Sequence, residues 1–382
     1  MQRKLDPGAV LVGAPTLKAA YESFGNRGPG FDTLRLAAAS AVVLHHAGSI
    51  DHDIVKDDIL YQFSGGYTHL GILAVSVFFA LSGFLVTPGL RKSGDVLEYL
   101  SRRFMRIMPL LVVVVALTVT VIGPILTTVP LSDYFQSSTT WRYLRNITTF
   151  LSLSLPGVTN YEGGPAVNSP MWSLHFEWLC YGVLAIASIA GLLKHRLVFL
   201  SLYLLVMGVL VFGYGPQSAD VNLGRIYQLL YFFAYFGGGV LICLFRDVIR
   251  WSVSLMLISL CALVLSLWAG LGYALAPLLV TYLIAGIGLI QFPWGRFLEH
   301  SDLSYGVYLI HSLVLTLLMH WFEFEGWITL FLAGWVVSLM LAWASWNVIE
   351  RPALDHKSFP ADLVRRFAKA IPLPSIGPAR DR

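Results

Sequence analysis

Charged residues are scarce in this sequence. Asp, Glu, Lys and Arg account for 13% of the 382 residues, which is about half of their share in soluble domains. Hydrophobic residues account for 56%. A soluble protein of this length needs more polar surface than that, so the composition predicts a polytopic membrane protein. The net charge of +4 is also too small to indicate a nucleic-acid partner.

Cysteine is scarce as well, and no two cysteines form a CxxC pair. The three that occur, Cys180, Cys243 and Cys261, all lie inside apolar runs. Cysteines in such surroundings usually fill space in a core rather than form disulfides or bind metals. The sequence predicts no metal site and no permanently bound cofactor.

Two further patterns are missing. The N-terminus lacks the basic, apolar and small-residue sequence of a signal peptide. Residues 1–30 are instead polar and rich in Gly and Pro, and we expect them to form a loose cytoplasmic extension. No internal repeat is visible, which disfavours an alternating-access transporter.

Ten apolar stretches are long enough to cross a bilayer as helices. They are residues 31–50, 69–88, 107–127, 170–193, 197–214, 225–245, 252–270, 273–292, 303–321 and 327–348. We predict an all-α, polytopic membrane helical bundle of about ten transmembrane helices, with one domain over 31–352 and a cytoplasmic tail over 353–382. Only Leu271 and Gly272 join the seventh and eighth stretches, so nine or eleven spans remain open.

The Lys and Arg residues are distributed unevenly between the two sides of this bundle. If the N-terminus is cytoplasmic, the great majority of the 26 Lys and Arg residues fall in cytoplasmic segments. This asymmetry predicts that both termini are cytoplasmic. Two loops on the opposite side, 51–68 and 128–169, are longer than connections need to be, and long loops tend to be functional.

The first span carries ionisable residues that are expensive in a membrane and therefore candidates for function. Arg35 and His46 are eleven residues apart, which places them on nearly the same helix face and roughly 16 Å apart along the axis. His45 points ~80° away from that face. The alternative is structural: Arg35 extends to the interface and His46 bonds a neighbouring helix.

Before the third apolar stretch, Arg103 and Arg106 lie one helical turn apart and share a face. Two guanidinium groups on one face suit phosphate oxygens, because each can bind them with two hydrogen bonds. An ordinary positive anchor at the membrane surface is the alternative.

Two later spans also present polar faces. Ser173, Glu177 and Tyr181 follow one another at intervals of four, and Ser304, Tyr308 and His311 share a face. The predicted topology places Glu177 at the same depth as His46, so we expect the two side chains to meet. A carboxylate there would fix the tautomer of the histidine, although a structural role for Glu177 is also open.

In this order the motifs resemble those of the acyltransferase-3 family, from about Phe31 to Pro352. Members are integral-membrane O-acyltransferases that modify bacterial surface sugars. The matching motifs are Phe-Asp-x-Leu-Arg with a later His, Phe-Phe-x-Leu-Ser-Gly-Phe-Leu, Arg-Arg-x-x-Arg-Ile-x-Pro, Trp-Ser-Leu-x-x-Glu-x-x-x-Tyr, Leu-Ser-Tyr-x-x-Tyr-Leu-x-His and Glu-Arg-Pro.

The resemblance implies a role for each matching residue. His46 corresponds to the essential histidine of the family, and His45 beside it is a departure from the pattern. The expected catalytic residues are His46 and Glu177. The expected donor-binding residues are Arg35, Arg103 and Arg106. The expected substrate-binding residues are Ser173, Tyr181, Ser304, Tyr305 and His311.

The expected reaction follows from these roles. The donor is acyl-coenzyme A, acetyl-coenzyme A by family frequency, and the acceptor is a hydroxyl of a surface polysaccharide or lipid-linked sugar. The expected location is the bacterial cytoplasmic membrane. His46 acts either as a general base or as a nucleophile that forms an acyl-imidazole. A transporter or flippase, and a non-catalytic partner of a polysaccharide synthase, are the competing functions.

Overall fold

The structure is a computed structural model that describes residues 13–49, 56–214, 224–295 and 301–370. Within these ranges the chain is helical and contains no β-strand; one isolated bridge joins Thr16 and Arg250. The α-helices are α1 (Leu17–Ser23), α2 (Phe31–Gly48), α3 (Ile59–Phe63), α4 (Leu70–Ser93), α5 (Val96–Leu117), α6 (Gly123–Leu126), α7 (Leu131–Gln136), α8 (Ser138–Arg142), α9 (Trp172–Ile189), α10 (Arg196–Gly208), α11 (Arg225–Leu244), α12 (Val253–Trp268), α13 (Gly272–Ile287), α14 (Ser304–Trp321), α15 (Trp327–Ser345), α16 (Arg351–Asp355) and α17 (Phe359–Ala370).

The polytopic bundle predicted from composition is confirmed. Six helical segments of the described ranges are long and apolar enough to cross a membrane, and α12 and α13 are shorter apolar helices. The six segments are Leu70–Ser93, Val96–Leu126, Ser169–Ile189, Arg196–Gly213, Arg225–Leu244 and Trp327–Phe367. Each of the ten predicted stretches overlaps one of the helices α2, α4, α5 and α9 to α15. The seventh and eighth stretches are separate helices, because Gly270 turns the chain with a φ of +69°.

Helix α2 lies inside the bundle, where it packs against α4, α14 and α15. Helix α2 carries an arginine and two histidines, and ionisable groups within a membrane need protein partners. The neighbouring helices provide these partners. Helices α2 and α14 run in the same direction, because Arg35 meets Asp302 at their starts and His46 meets His311 further along. Helix α9 runs against them, because Ser173 near its start contacts Tyr308 and Tyr181 lies beside Arg103. We call the end with Arg35, Arg103, Arg106 and Asp302 the arginine end, and the end with His45, His46, His69 and His311 the histidine end.

Helices α4 and α11 touch backbone to backbone. A Cβ atom added to Gly83 would lie 1.9 Å from the carbonyl oxygen of Phe236, and one added to Gly239 would lie 2.3 Å from that of Ala80. Small residues permit this close approach, which is a common way for membrane helices to pack. The contact holds α4 in place beside the site described below.

The N-terminal extension differs from the loose segment that we expected. Its stretch from Ala14 to Phe24 is packed against the bundle. Leu17 and Ala20 are fully buried, and the amides of Leu17 and Lys18 donate to the carbonyls of Ile249 and Arg246, both at 2.8 Å. Helix α1 is therefore docked on the bundle rather than loose, because it has one small apolar face that composition alone did not reveal. Residues 1–12 lie outside the described ranges.

Candidate functional site

The arginine end contains a cluster of buried charges around Arg106. Its guanidinium group forms ion pairs with Asp302 at 2.7 Å and with Glu350 at 2.6 Å. The ring of Tyr305 lies on one side of it, 5.3 Å from ring centroid to guanidinium carbon, and that of Trp346 lies at 5.8 Å. The charge of Arg106 is thus already balanced by the protein.

Asp302 joins Arg106 to Arg35. Arg35 lies 3.3 Å from Asp302 and 3.0 Å from Asp32. Burial raises the pKa of Asp302, but Arg106, Arg35 and a hydrogen bond from Ser304 outweigh that effect and hold the pKa at about 2. Asp302 is therefore ionised at neutral pH. Asp302 was not among the site candidates predicted from the sequence, although it stands only two positions before Ser304.

Arg103 is in a different situation from the other two arginines. Among the described residues no ion pair or hydrogen bond to its side chain is found, and its Nε atom is buried. Its guanidinium carbon lies 6.0 Å from the ring centroid of Tyr181. A cation in this position is available to an anionic ligand.

A cavity with about 690 Å³ of empty space extends into the bundle from these arginines. Its walls are partly apolar and partly polar. The lining residues are Arg35, Val75, Phe78, Phe79, Ser82, Arg103, Arg106, Ile107, Ser173, Leu174, Glu177, Tyr181, Asp302, Ser304, Tyr305 and Tyr308. Eight of the ten site candidates selected from the sequence line this one cavity, and His46 and His311 do not. The eight are Arg35, Arg103, Arg106, Ser173, Glu177, Tyr181, Ser304 and Tyr305.

Glu177 does not occupy the position that we expected. Its carboxylate accepts hydrogen bonds from Tyr181 at 2.5 Å and Ser82 at 3.4 Å, and the structure shows no contact between the described atoms of Glu177 and His46. The expected contact was wrong because α9 begins deep in the bundle. Asn168, just before it, is fully buried and donates to the Leu309 carbonyl at 3.0 Å, so Glu177 lies further toward the arginine end.

His46 is instead held by the long loop 128–169. The Tyr161 hydroxyl lies 2.7 Å from His46 Nδ1, and the Glu162 carboxylate lies 3.9 Å from the same atom. Burial raises the pKa of Glu162, but its interactions with His46 and Ser49 outweigh that effect and keep the pKa below its usual value. Both contacts are to Nδ1, so Nε2 is the nitrogen left for other contacts.

His311 faces His46, with 5.2 Å between the ring centroids. Its Nδ1 atom lies 2.8 Å from the Tyr308 carbonyl and 3.1 Å from that of Val307. Carbonyl oxygens only accept, so Nδ1 carries the proton and Nε2 has a free lone pair. That Nε2 is buried and has no hydrogen-bond partner among the described residues.

The chain is similar in sequence to proteins of known families. An acyltransferase domain, that of the acyltransferase-3 family, matches residues 29–347. The chain belongs to the acyltransferase-3 family. It is thus a membrane acyltransferase, and the resemblance seen in the motifs is confirmed.

Two curated proteins are similar to this acyltransferase over most of their lengths. An O-acetyl transferase of Shigella phage Sf6 is 26% identical over 340 residues, which cover 86% of this chain and 96% of that protein. Nodulation protein 10 of Rhizobium leguminosarum bv. viciae is 28% identical over 372 residues, covering 88% and 95%. No solved structure matches the chain.

In this acyltransferase, aromatic side chains separate the cavity from the histidines. Tyr308 lines the cavity, and its ring lies 6.3 Å from that of His311 and 5.7 Å from that of Phe78. Its hydroxyl is held by Ser173 at 2.6 Å. A group that enters at the arginine end must therefore pass Phe78 and Tyr308 to reach His46.

The other candidates of the acyltransferase make internal hydrogen bonds. Ser304 donates to Asp302 at 2.5 Å, and the Tyr305 hydroxyl donates to the Ile107 carbonyl at 2.8 Å. Tyr161 and Glu162 were not among the candidates. The only signal for them was the unusual length of their loop, because no local pattern indicates which loop residue reaches the first span.

Proposed function

We propose that this protein transfers an acyl group, an acetyl group in the first instance, from acyl-coenzyme A to a hydroxyl of a surface polysaccharide or lipid-linked sugar. The observation that carries the proposal is the cavity at whose arginine end Arg103 forms no ion pair with any described residue, and beyond whose Phe78 and Tyr308 wall lies the His46 and His311 pair. The phage relative is an O-acetyl transferase, which supports the acetyl group and the hydroxyl acceptor.

We assign the protein to the bacterial cytoplasmic membrane with both termini in the cytoplasm and residues 31–352 as the transferase domain. The distribution of Lys and Arg supports this orientation. It places the arginine end at the cytoplasmic side, where acyl-coenzyme A is available. The histidine end then faces the side where surface sugars are assembled.

For the donor, we assign the phosphate contact to Arg103. A phosphate that binds to Arg35 or Arg106 has to compete with Asp302 and Glu350, which already pair with them. Arg103 forms no such ion pair among the described residues, since Glu177 interacts with it only beyond ion-pair distance. Arg35 and Arg106 position the donor site by holding α2, α5 and α14 together.

For the transfer, His46 acts at the thioester carbon. As a general base, its Nε2 takes the proton of the acceptor hydroxyl, the hydroxyl oxygen bonds to the acyl carbon, and the carbon–sulfur bond breaks. The coenzyme A thiolate leaves and takes up a proton. Alternatively, Nε2 itself attacks the thioester carbon and the carbon–sulfur bond breaks; the acceptor hydroxyl then takes the acyl group from Nε2 and gives its proton to the thiolate. In both routes Tyr161 and Glu162 hold Nδ1 and stabilise positive charge on the ring.

The test is acyl-coenzyme A turnover by purified protein in lipid nanodiscs, followed as release of free thiol. We expect His46→Ala to abolish turnover and to leave acyl-coenzyme A binding unchanged. His320→Ala is the matched control, since His320 is an exposed histidine at the end of α14. Undiminished turnover in His46→Ala would mean that His46 takes no part in the reaction. If the wild-type protein showed no turnover, a transporter or a non-catalytic partner of a polysaccharide synthase would be favoured.

The acceptor is identified in cells. We expect that the surface polysaccharide of a strain with the gene is heavier, by one acyl group per modified sugar, than that of a strain without it. Identical masses in both strains would contradict a surface glycan as the acceptor.

A further inference from the structure

Three potential metal ligands meet at the histidine end, beside the proposed active site but outside it. They are His45, Asp58 and His69, and one ligand atom of each lies within 4.8 Å of the others. His45 Nδ1 is 3.6 Å from Asp58 Oδ2, and the rings of His45 and His69 stack at 4.5 Å. They come from α2, from the segment before α3 and from the residue before α4.

Hydrogen bonding leaves one nitrogen of this cluster without a partner. The Nδ1 atom of His69 is buried and has no hydrogen-bond partner among the described residues. An unsatisfied buried nitrogen costs free energy, so it needs an explanation. A bound cation beside Asp58 and His45 would supply the missing partner.

The surroundings hold Asp58 in place as a ligand. Its Oδ1 accepts hydrogen bonds from the amides of Leu60 at 2.8 Å and Tyr61 at 3.1 Å, and its Oδ2 accepts one from the amide of Leu70 at 2.9 Å. Such outer contacts orient a carboxylate before the metal arrives. The His45 ring packs closely against Gly71, where there is no side chain. A Cβ atom on Gly71 would lie 2.4 Å from Cδ2 of that ring.

The spacing is close to that of a zinc site. With metal–ligand bonds of about 2.0–2.1 Å, two ligands of a tetrahedral zinc ion lie about 3.3 Å apart. The His45–Asp58 distance of 3.6 Å is near this value. The widest pair, at up to 4.8 Å, needs to close by about 1.5 Å. His45 and Asp58 also line an open cavity at the histidine end, which gives an ion a route of entry.

We propose that His45, Asp58 and His69 bind one divalent transition-metal ion, with Zn²⁺ as the best match to two imidazoles and one carboxylate. Three protein ligands leave a fourth position for water. The ion would link the segment before α3 to α2 and α4. Its ligand on α2, His45, directly precedes His46 in the sequence. This inference does not depend on the proposed reaction.

Metal content is the first test. The full chain is purified with a tag that lacks histidine, stripped with a chelator, loaded with Zn²⁺ and analysed by mass spectrometry of the metal. We expect about one zinc ion per chain in the wild type and in the His320→Ala control, and none in His69→Ala or Asp58→Asn. Equal zinc content in His69→Ala and the wild type would overturn the proposal.

Cobalt spectroscopy then tests the ligands directly. Co²⁺ added to the stripped protein should produce visible absorption bands typical of four-coordinate cobalt, and Zn²⁺ should abolish them. His69→Cys keeps a ligand at the position, so it should bind Co²⁺ with an added sulfur-to-metal band in the near ultraviolet. If His69→Cys folds and shows no such band, the site is a hydrogen-bonded cluster and not a metal site.

Thermal unfolding provides a readout that is independent of activity. Zn²⁺ should raise the unfolding midpoint of the stripped wild type, because an ion that binds only the folded state stabilises it. The midpoint of Asp58→Asn should not respond. A rise of the same size in both proteins would mean that Zn²⁺ binds elsewhere, and the proposal would be wrong.

Discussion

The Tyr161 hydroxyl lies 2.7 Å from Nδ1 of His46 and connects the long loop 128–169 to the first span. Because Tyr161 and Glu162 both contact Nδ1, the loop sets which nitrogen of His46 points away from it. The loop is therefore part of the proposed active site as well as a connection between α6 and α9.

We expect Tyr161→Phe to lower kcat about tenfold, because a hydrogen bond of this kind contributes about 1–1.5 kcal/mol. The KM for acyl-coenzyme A should not change, because Tyr161 is at the other end from the arginines. Tyr134→Phe is the control. It removes a buried hydroxyl from the same loop, where it donates to the Val119 carbonyl at 3.0 Å. Equal losses of kcat in both variants would indicate a role in loop folding only.

Arg103 and Arg106 should respond differently to substitution. We expect Arg103→Ala to raise the KM for acyl-coenzyme A by about 10–100-fold, because it removes a hydrogen bond between charged groups. The unfolding midpoint should not change. Arg103→Lys should recover only part of the affinity, because an ammonium group lacks the planar fork.

Arg106→Ala should instead lower the unfolding midpoint, because it leaves Asp302 and Glu350 buried without their cation. Kinetics and thermal unfolding of both alanine variants distinguish these roles. If Arg106→Ala had an unchanged unfolding midpoint and a raised KM for acyl-coenzyme A, Arg106 would be a residue that binds the donor phosphates directly.

Asp302 should make stability depend on pH. Its pKa of about 2 in the folded protein is below its usual value of 3.8, so its ion pairs contribute stability that is complete above pH 4 and is lost as the pH falls toward 2. We expect Asp302→Asn to lower the unfolding midpoint clearly at pH 7 and much less near pH 3. The exposed Asp133→Asn is the control. A deficit of Asp302→Asn that is the same at both pH values would contradict the ion-pair explanation.

Gly83 should be intolerant of any side chain. Gly83→Ala places a methyl group against the backbone carbonyl of Phe236, so we expect less folded protein after extraction and a lower unfolding midpoint. Gly89→Ala, on the same helix with open space around it, should be neutral or stabilising by up to about 1 kcal/mol, because Ala favours the helix. Size-exclusion profiles and midpoints compare the two. If Gly83→Ala matches Gly89→Ala, α4 and α11 are further apart than described.

The sequence by itself determined the all-α membrane bundle, the approximate helix positions and the family. These features depend on long apolar runs and on short motifs, which are local and can be read along the chain. It also placed Ser173, Glu177 and Tyr181 on one face correctly, because helical spacing needs no tertiary information.

Only the tertiary structure decided which side chains meet. Glu177 and His46 are apart because Asn168 donates to the Leu309 carbonyl, so that α9 begins deep in the bundle. The ends of the apolar stretches in the sequence do not predict this depth. Tyr161 reaches His46 from 115 residues away, and Glu350 reaches Arg106 from 244 residues away. Such contacts depend on how helices and loops pack together, and no periodicity within one segment encodes them.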